Sequence, residues 1–403
     1  MTHVVVVGAG QAGLALVARL RADGFDGQVT LIGAEPHPPY QRPPLSKDYL
    51  LGELERERLS LRPESFYAEH DIDLRLGAGV AAIDTGRQIV ILETGAEIAF
   101  DELVLTTGST PRRLPAAIGG DLDGVLTMRD IRDADALGPR LVEGRRVLVV
   151  GGGYIGLEAA AVCAKRGLNV TLIEMAPRIL QRVTAPETSD YFRRLHGERG
   201  VSIREGVGLE RLIGEDGRVV AARLSSGEEI PVDLVLVGVG IVPNTKLAES
   251  AGIEVENGIR TDALGRTSAP NVWAAGDCAS LPHGEGRIRL ESVGNAIDQA
   301  EAVARNIMGA EEAYVPQPWF WSDQYDTKLQ IAGLNTGYDR VFVRQAGEAL
   351  SHWYYCGESL VAVDAMNDSR AYMIGKRLIE AGKSPRPEIV TDPATDLKAL
   401  LKA

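Results

Sequence analysis

One supersecondary unit occurs twice in this chain, and that repeat constrains the fold more than any other feature. Val4-Val5-Val6-Val7, a run of β-branched residues, leads straight into Gly8-Ala9-Gly10-Gln11-Ala12-Gly13. An amphipathic stretch from Leu14 to Leu20 follows, then a second apolar run, Val29-Thr30-Leu31-Ile32, closing near Glu35. Strand, glycine turn, helix, strand and acid in that order make a dinucleotide-binding unit. Gly8 makes the tight turn, Gly10 lets the backbone approach a pyrophosphate, and Gly13 lets helix and strand pack closely. The pyrophosphate takes the N–H groups and the positive dipole end of the helix. Glu35 is placed to accept from a ribose hydroxyl.

From Arg146 the pattern returns. Val147-Leu148-Val149-Val150 precedes Gly151-Gly152-Gly153-Tyr154-Ile155-Gly156. A helical stretch then reaches Arg166, and Val170-Thr171-Leu172-Ile173 ends on Glu174. Two units imply two dinucleotides. Gly151, Gly153, Tyr154, Ile155, Gly156 and Glu174 are expected to hold the second.

The rest of the composition excludes other classes. At 403 residues the chain has room for two to four domains, taking about 150 residues for each. No apolar run approaches the roughly 18–20 residues that span a bilayer. The first strand begins at Val4, which leaves no room for a signal peptide, so a cytoplasmic protein without membrane attachment is expected. The net charge of −13 argues against nucleic acid as a partner. Cys163, Cys278 and Cys356 are the only cysteines and form neither CxxC nor CxxxxC. No metal site and no redox dithiol is therefore expected, and all three are read as buried, reduced thiols.

Between and beyond the repeats the pattern is mixed. Residues 36–47 carry five prolines and read as loop. Residues 72–100 and 203–237 read as short strands. Strand ends are expected at Thr107-Gly108, at Gly240, and at Gly276-Asp277. A helix is expected from Asn295 to Met308. From about Tyr314 the character changes: Trp319-Phe320-Trp321 is followed by strand-like runs at 329–332, 340–343 and 360–363. This reads as a small separate α+β domain.

Together with the two glycine units, Arg42-Pro43-Pro44-Leu45-Ser46-Lys47, Thr106-Thr107-Gly108, Gly276-Asp277, Glu291-Ser292-Val293 and Trp319-Phe320-Trp321-Ser322-Asp323-Gln324 carry a resemblance over essentially the whole chain. It resembles the NADH-dependent ferredoxin reductases of bacterial oxygenase systems, which are FAD flavoproteins. The resemblance implies an α/β fold with two Rossmann-like domains in a glutathione-reductase-like layout, plus the small α+β domain. FAD would occupy a discontinuous domain, 1–108 and 241–312. NAD(H) would occupy 109–240, leaving 313–403 as the carboxy-terminal domain.

Residue roles follow from the resemblance. Gly8, Gly10, Gly13, Glu35, Thr107, Gly108 and Val293 would line the FAD site, with Asp277 on the ribitol. Arg42, Lys47 and Arg129, with Arg112 nearby, would reach the flavin, where a cation favours developing negative charge. The helix near Asn295 would point its positive end at the flavin ring. Glu158 is either an acid favoured by its helix dipole or a partner of Lys47 near the nicotinamide. Trp321 would cover one end of the flavin and face the ferredoxin, with Trp319 expected as a core plug on the opposite side. Glu174 favours the NAD ribose and repels the NADP phosphate, although Arg178 nearby leaves NADPH open. Lys47, Glu158 and Trp321 would tune the reaction, since the cofactor carries the chemistry.

The implied activity is that of a ferredoxin–NAD(+) reductase. Electrons would pass from NADH through FAD to a 2Fe-2S ferredoxin. That ferredoxin would feed a cytochrome P-450 monooxygenase or a ring-hydroxylating dioxygenase. Rubredoxin reductase is the near alternative. An NADH-responsive binding or signalling module, as apoptosis-inducing factor suggests, is the distant one. A disulfide reductase would need a dithiol after the first unit, and no cysteine precedes Cys163. The acid excess lies in 1–108 plus 241–312, with 15 basic and 27 acidic residues. An acidic ferredoxin is therefore expected to dock elsewhere, on basic residues drawn from Lys328, Arg340, Arg344, Arg370, Lys376 and Arg377. A monomer or weak homodimer is expected.

Overall fold

A computed structural model describes residues 1–402. The chain divides into two compact units. The first comprises Met1–Gln41, Arg56–Thr110 and Val242–Pro318. The second comprises Arg42–Glu55, Pro111–Ile241 and the chain from Trp319 onward.

The first unit is built on a five-stranded parallel sheet. Its order is Val272–Ala274, Glu102–Leu105, His3–Val7, Gln28–Ile32 and Ile72–Arg75. Val4, Val5 and Val6 are completely buried. Covered on both faces, a parallel strand reads as a continuous apolar run rather than an alternating one. Helices Gln11–Ala22 and Val293–Ile307 close one face through Leu16, Val17, Leu20, Ala300 and Val303. A three-stranded antiparallel sheet closes the other through Ile83, Val90, Leu92 and Ile98. The second of these helices begins two residues before Asn295, because Ser292 caps it by accepting from the Asn295 N–H.

The second unit repeats this plan. Its parallel sheet runs Ser202–Glu205, Asn169–Glu174, Arg146–Val150, Leu234–Val237 and Val125–Leu126. Helix Tyr154–Lys165 covers one face, and an antiparallel sheet over 209–231 covers the other. The same unit holds a five-stranded antiparallel sheet ordered Trp319–Gln324, Thr327–Gly333, Ser359–Met366, Ala349–Cys356 and Arg340–Ala346, with helix Ser369–Glu380 upon it. Leu329, Ile331 and Met366 of that sheet share one core with Leu157, Phe192 and Leu50. The proline-rich loop is not wholly irregular: Pro43–Ser46 forms a 3₁₀ turn with proline in its first positions.

Three expectations are corrected. Strand Ala349–Cys356 has no counterpart among the strand-like runs read from the sequence, yet its Trp353, Tyr354 and Tyr355 are completely buried. Aromatic side chains there fill the core at successive positions, so the strand shows no period-two alternation. Cys356 is exposed, because it ends this strand at the turn into Ser359–Met366, while Cys163 and Cys278 are buried. Arg344 is buried rather than displayed: its guanidinium donates to the carbonyls of Val390, Asp392, Pro393 and Thr395, tying the tail to the sheet.

A buried polar cluster joins helix Pro186–Gly197 to the antiparallel sheet. Asp364 Oδ2 accepts from Tyr354 and from Thr188 (2.7 Å), Thr188 Oγ1 lies 2.7 Å from His352 Nδ1, and Tyr354 Oη accepts from the Ala185 N–H at 2.9 Å. Asp364 Oδ1 has no hydrogen-bond partner. Burial raises this carboxyl from 3.8 to about 7, against the lowering effect of its two donors. The fold therefore binds a proton more tightly than the unfolded chain across that window, and the corresponding stability is lost as pH rises through it. Asp364→Asn is expected to flatten this part of the stability–pH curve, measured by denaturant unfolding between those two pH values.

Candidate active site

The two glycine turns have the same steric anatomy. Gly8 has φ +120°, and a Cβ there would lie 2.1 Å from the Thr106 carbonyl oxygen. A Cβ on Gly13 would lie 2.1 Å from the Gly8 oxygen. In the second unit, Gly151 has φ +106° and its Cβ would lie 2.4 Å from the Gly238 oxygen, while that of Gly156 would lie 2.1 Å from the Gly151 oxygen. The middle glycines differ: a Cβ on Gly10 or Gly153 would meet nothing within 4 Å. Each of these two is the N-cap of its helix and makes no side-chain cap hydrogen bond. Outer glycines thus serve the protein's own packing, and middle ones border open space at a helix N-terminus. That is what a pyrophosphate needs, so both turns fit a dinucleotide.

Around the first turn the other expected residues gather. Glu35 is half-buried and accepts from the Tyr40 hydroxyl at 2.6 Å. Thr106 Oγ1 donates to the Gly8 carbonyl at 2.8 Å, bracing the turn. Thr107 Oγ1 donates to the Asn244 carbonyl at 2.7 Å, and Gly108 follows with φ +68°. Asp277 lies in the short turn Gly276–Cys278 and accepts from Ser109 Oγ at 2.8 Å. Val293 is the first residue of its helix.

Around the second turn, Glu174 accepts at 2.7 Å from the Gly152 N–H and at 2.7 Å from the Ala176 N–H. These bonds fix the carboxylate at the strand end. Arg178 is tied elsewhere, donating to Ser189 Oγ at 2.6 Å and to the Thr184 carbonyl at 2.7 Å. Large apolar side chains stand open beside this turn: Met175 is 80% exposed, and Ile155 46%. Met175 was not singled out by sequence reasoning; an apolar residue directly after the acid was the available signal.

The chemically distinctive group of the second unit is a buried ion pair. Lys47 Nζ lies 3.0 Å from Glu158 Oε2, with side-chain exposures of 14% and 3%. Ser46 Oγ donates to Glu158 Oε2 at 2.8 Å, and Ser322 Oγ to Oε1 at 2.7 Å. Burial pushes the Glu158 carboxyl upward, while Lys47 and the two hydroxyls pull it back. Of the two readings of Glu158, the structure realises the pairing with Lys47. Arg42 Nη1 donates to the Arg129 carbonyl at 3.0 Å, and Arg112 is exposed.

The aromatic motif is arranged differently from expectation. Trp319 and Trp321 stack on each other, with ring centroids 5.5 Å apart and planes at 21°. They are two apart on one strand and so lie on the same face. The plug is Phe320, whose ring lies 4.5 Å from that of Tyr154 and packs on the core. Ser322 and Gln324, in phase with Phe320, are completely buried. Sequence reasoning quoted both and gave neither a role; polar residues at the inward phase of a strand were the signal.

Comparison with known proteins extends these observations. Residues 2–300 match the family model for pyridine nucleotide-disulphide oxidoreductases, and residues 319–401 match that for the reductase C-terminal domain. A ferredoxin–NAD(P)(+) reductase of Sphingomonas sp. is 45% identical over 98% of this chain and 97% of its own. Rhodocoxin reductase of Rhodococcus erythropolis is 40% identical over 98% of this chain and 93% of its own. The crystal structure of a covalent putidaredoxin reductase–putidaredoxin complex matches with TM-score 0.95 and 39% identity, covering 100% of this chain and 98% of that one.

The steric anatomy of the turns yields a test. Gly156→Ala is expected to weaken NADH binding about tenfold or more, because its methyl cannot be accommodated against Gly151. The flavin absorbance should be retained. Titration of the purified variant with NADH, followed by fluorescence, measures both.

Proposed function

The chain belongs to the pyridine nucleotide-disulphide oxidoreductase family and to the ferredoxin reductases within it, and we infer that it passes electrons from NADH through FAD to a 2Fe-2S ferredoxin. Its cofactors are FAD and NAD(H). The observation that carries the reading is the pair of open glycine cradles in a chain whose three cysteines are all free. Two dinucleotides without a dithiol leave a protein acceptor of electrons as the natural outlet. In the matching complex the putidaredoxin reductase is joined to putidaredoxin.

FAD, when bound, accepts hydride from NADH and releases its electrons singly. The chain's own residues bind, orient and set charge. Residues 1–108 and 241–312 are assigned to FAD, 109–240 to NAD(H), and 313–403 to the carboxy-terminal domain. Gly8, Gly10, Gly13, Glu35, Thr107, Gly108, Asp277 and Val293 are assigned to holding FAD. Gly151, Gly153, Tyr154, Ile155, Gly156 and Glu174 are assigned to NAD(H), and the exposed Met175 adjoins them. Arg42, Arg129 and Lys47 are assigned to setting the charge around the flavin, and Glu158 holds Lys47 in place through their ion pair. Trp321, stacked on Trp319, is assigned to cofactor and partner recognition. Among the described residues no helix is long and apolar enough to cross a membrane. A cytoplasmic location and a monomer or weak homodimer complete the reading.

For docking an acidic ferredoxin, Lys328, Arg370 and Arg377 are exposed. Lys376 is held by Glu380, and Arg340 lies 3.5 Å from Asp339. Purified enzyme should reduce cytochrome c from NADH only when a 2Fe-2S ferredoxin is added. The rate should fall as ionic strength rises from about 0.01 M to about 1 M. Stimulation by rubredoxin and not by ferredoxin would replace the partner. Glu174→Ala should narrow the preference for NADH over NADPH by about tenfold, read as the ratio of kcat/KM values, since a charged acceptor for the ribose is lost.

A further inference from the structure

Glu158 is the end of a longer buried chain. Ser322 Oγ, 2.7 Å from Glu158 Oε1, is itself 3.2 Å from Gln324 Nε2. Gln324 Oε1 is 2.8 Å from His196 Nε2, and His196 Nδ1 is 3.4 Å from the Tyr325 hydroxyl. Ser322, Gln324 and His196 are all completely buried. They come from two elements: Ser322 and Gln324 share the inner face of strand Trp319–Gln324, and His196 sits in the last turn of helix Pro186–Gly197.

The direction of every bond in this chain is dictated by the charge at its end. A carboxylate paired with Lys47 only accepts, so Ser322 must donate to it. That hydroxyl has one hydrogen, so its oxygen must accept from the Gln324 amide nitrogen. The Gln324 oxygen then faces His196 Nε2, which must carry a hydrogen. Nδ1 is left to accept from Tyr325. No member can turn over without leaving a buried donor or acceptor unmatched. An amide in the middle bars proton passage, which would require its imidic tautomer. The chain therefore transmits orientation.

We propose that His196, Gln324 and Ser322 are positioning residues that hold Glu158 as an ionised, fixed carboxylate against Lys47. This rests on the reading of Lys47 and Glu158 as the pair that sets charge for electron transfer. Their influence reaches the pair only through Ser322, and His196 acts across three hydrogen bonds. Burial lowers the His196 imidazole to about 4 and so keeps it neutral, as the direction of the chain requires. The charge facing Glu158 is Lys47; Ser46 and Ser322 supply neutral donors.

Infrared titration of the FAD-loaded protein labelled with ¹³C-carboxyl glutamate tests this. The band of a buried protonated glutamic acid is assigned to Glu158 by its loss in Glu158→Gln. Ser322→Ala is expected to move the midpoint of that band upward by about one to two pH units, as loss of a bond to a charged acceptor requires, and His196→Phe, which frees Gln324 and through it Ser322, to move it in the same direction by less. Ser322→Thr, which keeps the hydroxyl, should match the unsubstituted protein. Gln324→Leu breaks the same link and serves if His196→Phe does not fold. A midpoint unmoved when His196 or Gln324 is replaced overturns the chain, even if Ser322→Ala moves it. Absence of ferredoxin reduction with the band shifting as described would instead overturn the functional reading and leave the chain standing.

Discussion

The contact on which this structure depends is the approach of a helix N-terminus to the end of a parallel strand, made twice. At Gly8 and Gly13, and again at Gly151 and Gly156, a side-chain carbon would stand 2.1–2.4 Å from a backbone oxygen. Such a distance is far inside van der Waals contact, and the oxygens belong to backbone that cannot swing aside. Glycine at these places lets the helix lie flat on its sheet. With the helix seated, its N–H groups converge on the open space beside Gly10 and Gly153. The central strands of each sheet are then buried on both faces, and they become continuous apolar runs.

A second constraint acts inside the second unit, where charge is buried. A carboxylate that is 2% exposed survives only if its lone pairs are met. Lys47, Ser46 and Ser322 meet those of Glu158, and they come from the proline-rich loop and the antiparallel sheet. The ion pair thereby explains why Arg42–Glu55 belongs with the second unit rather than with the sequence that surrounds it. Leu50 adds an apolar anchor to the same core. The prolines stiffen this segment, and the 3₁₀ turn Pro43–Ser46 puts Ser46 and Lys47 side by side toward one carboxylate.

The same logic orders the motif Trp319–Gln324. One strand face carries Phe320, Ser322 and Gln324 into the protein, and the other carries the stacked pair Trp319 and Trp321. A stacked tryptophan pair and a buried polar chain are thus two sides of six residues. Moving the register by one would exchange them.

Both dinucleotide cradles were legible in the linear chain, because each is a local unit whose steric demands select glycine at fixed spacing. So was the absence of a dithiol, which needs only the positions of three cysteines. The family resemblance, and with it the family to which the chain belongs, rested on motifs that can be read in order. Other features were decided only in three dimensions. Phe320 rather than Trp319 became the plug, because strand phase, not aromatic size, selects the buried side. Arg344 turned inward because carbonyls from 390–395 converge on it. The bonds joining Lys47, Glu158, Ser322, Gln324 and His196 link residues up to 164 positions apart. Sequence spacing determines what a segment can do alone; which distant segments supply a buried charge with its partners is settled by packing.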